Sequence, residues 1–145
     1  MSSFEVYLIL FISSFTSSTI LPGHSEIALT ALIYQKKYEI FYLIFFASLG
    51  NILGSIVNWY LGFYFLKFKN KKWFPFKKKY LDNASNSFVK YGKWTLLLSW
   101  VPFIGDVITL VAGIFRVPLH EFVIIVSIAK IGRYIFVSLI ALSIF

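Results

Sequence analysis

Cysteine is missing from the 145-residue sequence, which removes disulfides, thiolate metal sites and cysteine nucleophiles and leaves the redox compartment open. Charge is scarce as well: Asp, Glu, Lys and Arg make up 14% of the chain, and only six acids face 14 Lys and Arg. A soluble domain carries about 25% charged and 45–50% apolar residues. Here hydrophobic residues reach 59%, aromatic residues 21%, and the mean hydropathy is +0.78. The chain therefore reads as a membrane protein, one small domain of a few spans and re-entrant pieces with no room for a separate soluble catalytic domain. No nucleophile elbow, phosphate-binding glycine loop or H-E-x-x-H pattern occurs, so no enzyme, cofactor or metal site is expected. Glu5 stands where a signal peptide would be basic, and no A-x-A-like site follows, so the N-terminal apolar run is expected to be a retained membrane segment.

What is present is a repeat. Leu21-Pro22-Gly23-His24-Ser25-Glu26 and Val101-Pro102-Phe103-Ile104-Gly105-Asp106 each place an acid four residues after a proline, and nine uncharged residues follow each acid, up to Lys36 and Arg116. Nine helical residues cover about 13 Å, half a bilayer. Both turns are expected to be tips of re-entrant hairpins, with Pro22, Gly23, Pro102 and Gly105 making the turns. Before Pro22 the chain is rich in hydroxyls (Ser13, Ser14, Thr16, Ser17, Ser18, Thr19), which suits a segment packed inside protein.

Ile40–Leu66 is long enough to cross. Gly50, Asn51, Gly54, Ser55, Asn58 and Gly62 give it a small, polar face, read as a helix-packing or substrate-lining face. Nine of the 14 basic residues lie between Lys67 and Lys93 with Asp82 the only acid, a cytoplasmic loop by the positive-inside rule rather than a nucleic-acid site. Within it, 80–93 has the makings of a short amphipathic surface helix. Residues 119–145 form a second span holding Lys130 and Arg133, on one stripe with Ser127 and Tyr134. The expected domain is thus 1–145: a first repeat 1–66 (hairpin turning at 21–26, span 40–66), a basic loop 67–93, and a second repeat 94–145 (hairpin turning at 101–106, span 119–145). Opposed hairpins make this an all-α inverted repeat, with both termini outside and a polar site near the midplane.

Glu26, Asp106, Lys130 and Arg133 sit where a charge costs at least about 2.5–3.5 kcal/mol. They read either as paired groups that fix helix packing or as a hydrated site in which the acids handle protons. Arg116 is suited to holding a phosphate or to snorkelling. His24 reads as a local hydrogen-bonding residue, and His120 with Glu121 as an interfacial pair.

Five motifs together resemble the DedA family of integral membrane proteins (SNARE-associated, or VTT-domain, family), above all its short YqaA-like branch: LPGHSE, GNILGSIVNWYLG at Gly50–Gly62, SWVPFIGD at Ser99–Asp106, the Gly113–Arg116–Pro118–Phe122 run, and AKIGRY at Ala129–Tyr134. The resemblance implies opposed re-entrant hairpins and movement of lipids across the bilayer, with hairpin acids and arginines near the second turn as essential groups. Glu26 and Arg116 match those positions. Three positions depart: Gly105-Asp106 stands where an arginine is usual, Asn58 where larger members have an acid, and His24 where the YqaA-like turn has asparagine. The resulting expectation is a multi-pass transporter or scramblase in a bacterial inner membrane. It would move an anionic phospholipid or polyprenyl phosphate, with Glu26 and Asp106 as proton or gating acids and Arg116, Lys130 and Arg133 as headgroup ligands. The alternative is a non-transporting scaffold or envelope-homeostasis factor whose charges only fix packing. Membrane lipids are the expected partners, and so few spans also suit a homo-oligomer.

Overall fold

The computed structural model describes residues 2–19, 24–64, 78–101 and 104–144. The turn residues Pro22, Gly23 and Pro102, the first part of the basic loop (67–77) and the end of the first expected span (65–66) lie outside them. The described residues are helical: α1 Ser3–Thr19, α2 His24–Tyr34, α3 Ile40–Phe63, α4 Lys78–Tyr91, a 3₁₀ arm Gly92–Trp100, α5 Ile104–Ile114 and α6 Leu119–Ile144.

Local chemistry sets the ends. Ser2 Oγ accepts the Glu5 N–H at 3.2 Å, an N-cap with an acid in the first turn of α1. α2 and α5 both have 11 residues, and both stop in the same manner. Two residues beyond each, Lys36 (φ 54) and Arg116 (φ 57) take left-handed backbone. After α5 the Arg116 N–H bonds the Gly113 carbonyl and the Val117 N–H that of Ala112, each at 3.0 Å. This paired closure satisfies the last carbonyls of the helix, and Pro118 prevents its continuation. Eleven residues span about 16 Å, whereas α3 and α6, with 24 and 26 residues, span about 36 and 39 Å, enough to cross a bilayer. Phe41, Phe45, Ile124, Ile128, Leu139 and Ile144 remain exposed on them, as suits lipid-facing surface.

The elements pack in a crossed pattern. In each half the first arm (α1, or the 3₁₀ arm) lies on its own long helix. The second arm (α2, or α5) lies on the long helix of the other half. α1 fits against α3 because Gly50 and Gly54 have no side chain: a Cβ at Gly50 would strike the Phe11 carbonyl, and one at Gly54 the Ser18 hydroxyl. At the other end of α3, Gly62 faces the Leu110 carbonyl while Gly113 of α5 faces that of Trp59. Backbone thus meets backbone from both sides. Trp59 Nε1 also donates to the Val117 carbonyl at 3.0 Å.

Two apolar clusters result. One gathers Trp59, Phe88, Leu96, Leu110, Val111 and Phe122, the other Leu10, Leu29, Ile33, Leu43, Ala47 and Tyr134. α4 is the amphipathic helix expected from 80–93, shifted two residues earlier. It inserts Phe88, stacked on Phe115 at 5.4 Å, and packs on α5, while among the described residues nothing equivalent packs on α2. Glu121 pairs with Lys93 at 3.4 Å, tying the 3₁₀ arm to the start of α6.

Candidate functional site

At the seam between the clusters, one turn of α6 gathers the buried charges. Lys130 is fully buried, its Nζ 3.0 Å from Asp106 Oδ1. Three residues on, Arg133 Nη2 lies 3.0 Å from Glu26 Oε1. Both acids occupy the first turn of a short helix, where unpaired N–H groups and the helix dipole favour a carboxylate. Each half-helix therefore presents an acid at its N-terminal end to the same turn of α6. The sequence spacing alone does not say which acid meets which cation, and the crossed packing decides it: α2 reaches over to α6.

The pairs differ in detail. Lys130 donates a directed hydrogen bond to Asp106, and the side chains are 0% and 9% exposed. Around them, Thr109 Oγ1 donates to the Asp106 carbonyl at 2.6 Å, and Asn58 Nδ2 donates to Thr109 Oγ1 at 3.2 Å and to the Ser18 carbonyl at 2.8 Å. Asn58 thereby ties α1, α3 and α5 together. In the other pair the guanidinium N–H is not aimed at the carboxylate, so close charges lack a directed bond. Glu26 Oε1 and Arg133 Nε have no hydrogen-bond partner. The Glu26 side chain is 18% exposed and lines an open groove of about 850 Å³ along α2, with Ile27, Thr30, Ala31, Tyr34 and Gln35.

Tyr134 links this pair to α1 and α2. Its Oη accepts from Arg133 Nη2 at 3.2 Å and lies 2.9 Å from Ser14 Oγ and 2.8 Å from Ser25 Oγ. Ser25 Oγ in turn lies 3.1 Å from Glu26 Oε2 and 3.3 Å from Ser17 Oγ. The phenol has one proton to give, so only one of the two serines accepts it at a time. Ser14 also bonds the Ala47 carbonyl, and Asn51 Nδ2 the Ser14 carbonyl at 3.1 Å.

Of the residues singled out in the sequence, Glu26, Asp106, Lys130 and Arg133 come together. Gly50, Asn51, Gly54, Asn58 and Gly62 form one buried face of α3, the glycines against neighbouring backbone and the asparagines bridging helices. Gly105 is buried against the Ser99 backbone. Arg116 does not join the cluster. It is exposed at the far end of α5, about 15 Å along the helix from Asp106, with its guanidinium 4.4 Å from the Phe63 ring centre. The connecting hydroxyls of Tyr134, Ser14 and Ser25 were not among the site residues read from sequence, although Tyr134 shares the Lys130–Arg133 stripe and Ser14 belongs to the hydroxyl-rich run.

The VTT-domain family matches residues 21–142, nearly the whole of this arrangement. The chain belongs to the VTT-domain, or DedA, family. Within it, the chain is 36% identical over 129 residues to the inner membrane protein YqaA of Escherichia coli (strain K12), covering 89% of this chain and 86% of that one. It is 35% identical over 133 residues to an uncharacterized Haemophilus influenzae protein (87% and 81%), and 25% identical over 138 residues to one from Rickettsia prowazekii (92% and 95%). No solved structure matches. The DedA resemblance read from the motifs, YqaA-like branch included, is borne out.

Proposed function

We propose that this DedA-family membrane protein moves an anionic lipid, a phospholipid or a polyprenyl phosphate, across the bilayer. The observation that carries the reading is the convergence of two half-length helices, each leading with an acid, on two cations in the middle of a membrane-length helix. Such charges are expensive in the membrane and mark substrate or proton pathways. Arg133 supplies the positive charge that a phosphate meets, with Lys130 adding to the field from its pair with Asp106, and Glu26 competes with the phosphate for Arg133. Protonation of Glu26 would release Arg133 to the headgroup, which couples lipid movement to protons. Arg116, exposed and stacked on Phe63, is placed to meet headgroups at the surface instead. The crossed packing, in which each second arm lies on the other half's long helix, supports an inverted repeat with opposed re-entrant hairpins. The name of the E. coli relative supports an inner-membrane location.

Reconstituted protein is expected to translocate fluorescent or phosphate-bearing lipid between vesicle leaflets. No movement above empty vesicles, across several lipids and pH values, would overturn the reading. A second reading, a scaffold whose charges only fix packing, is favoured by one observation, the complete burial of Lys130 against Asp106. It expects Glu26→Gln and Lys130→Gln proteins to remain functional wherever they fold.

A further inference from the structure

α2 and α5 correspond residue for residue at an offset of 80, from Glu26 and Asp106 to Lys36 and Arg116. Their surroundings do not correspond. Val107, Leu110 and Val111 of α5 are at most 1% exposed, whereas their counterparts are open: Ile27 is 73% exposed, Ala31 exposed and Thr30 half-buried. α3, the 3₁₀ arm and α4 all pack on α5, and among the described residues α2 has no counterpart of α4. The uncovered side is the groove along α2. Its outer end, at Gln35, adjoins the exposed Lys36 and Lys37. Its inner end is Glu26, behind which lies Arg133, 5% exposed and with Nε unpartnered. Two lysines stand beyond the outer end and the Glu26–Arg133 pair closes the inner end; Thr30 offers a hydroxyl midway, and the distance from Gln35 to Glu26 is about 13 Å along the helix.

We infer that the α2 groove is the aqueous route by which an anionic lipid headgroup reaches Arg133, and that the equivalent face of α5 is closed. This rests on the lipid-moving reading and adds a direction to it: traffic enters through the first half of the chain alone. The phosphate is drawn in by Lys36 and Lys37, passes Thr30, and meets Arg133 by taking the place of the Glu26 carboxylate. Lipid chains stay outside, against the exposed faces of α3 and α6.

The absence of cysteine allows a direct test. Single variants Thr30→Cys, Ala31→Cys, Leu110→Cys and Val111→Cys, reconstituted into vesicles containing phosphatidylglycerol, would be exposed to membrane-impermeant methanethiosulfonates of negative and of positive charge. Because a charged cleft concentrates counter-ions at least about tenfold, the anionic reagent is expected to modify positions 30 and 31 faster than the cationic one by that factor. Positions 110 and 111 are expected to stay unmodified until detergent and denaturant are added. Silence at both 30 and 31 would show a groove filled by lipid chains and overturn the route. So would equal labelling of the two helices, or a preference for the cationic reagent. If positions 30 and 31 label as expected while no lipid moves, the route stands and the transport reading falls; lipid movement with silent cysteines at 30 and 31 means the reverse.

Discussion

The two buried ion pairs sit one turn apart on α6, yet one is a closed fixture and the other is open to exchange. Asp106–Lys130 is enclosed by the 3₁₀ arm, whose Ser99 lies against Gly105, and by the Asn58–Thr109 bridge, with a directed hydrogen bond and almost no exposure. Glu26–Arg133 lacks such a bond and borders a groove. A buried pair contributes little net stability relative to apolar replacement, but breaking it strands a charge. In the sealed pair the stranded charge has nowhere to go. At the open pair, water or an anion can take the lost partner's place. The same chemistry thus fixes the fold in one half and stays available in the other.

The contrast is broken most directly at Lys130. Lys130→Met is expected to cost about 3–5 kcal/mol, seen as a fall in the thermal midpoint of the purified protein, because Asp106 is left unpaired. Asp106→Leu with Lys130→Met should restore most of that loss, and a double variant as unstable as the single would contradict the sealed-pair account. Next comes the crossing of α3 with α5. Gly62→Leu drives a side chain into the Leu110 carbonyl and should cost at least about 1–3 kcal/mol by overpacking. Gly132→Leu, which meets nothing within 4 Å, should leave the midpoint unchanged within error.

Glu26→Gln sharpens the comparison from the open side. Its amide can keep the contact with Ser25 and water can stand in beside Arg133, so the expected loss is about 1 kcal/mol, the upper end for a solvent-accessible ion pair, while lipid translocation disappears. A stability loss as large as that of Lys130→Met would erase the difference between the pairs. The smallest effect belongs to the Lys93–Glu121 pair at the surface: Lys93→Gln should cost ~0.2–1 kcal/mol, and raising salt should remove the difference.

Much of this could be read from the chain before any coordinates. The proline-to-acid spacing with nine uncharged residues after it anticipates α2 and α5, since charge and chain length both limit how far a helix can run into the membrane. The face of Gly50, Gly54 and Gly62 anticipates close packing on α3, because helical periodicity puts these residues on one side. What stayed hidden depends on contacts between distant segments. Glu26 finds Arg133 only because α2 leaves its own half and lies on α6. Arg116 turns away because the left-handed closure after α5 points it at Phe63. Tyr134 looks like an ordinary apolar residue until Ser14 and Ser25 arrive from 120 and 109 residues away.

The close crossing of α3 and α5, at Gly62 on one and Gly113 on the other, also bears on motion. Where two helices touch backbone to backbone, no side-chain layer remains that can change rotamer and let them slide, so α3 and α5 behave as one rigid body with Trp59 pinned to Val117 across the joint. α2 is held to α6 by Leu29 and Ile33, in one apolar cluster with Tyr134 and Ala141, and by hydroxyls and charges that can trade partners. A rocking motion between two states would use the α3–α5 block as its frame and the exchangeable contacts of α2 as its moving side.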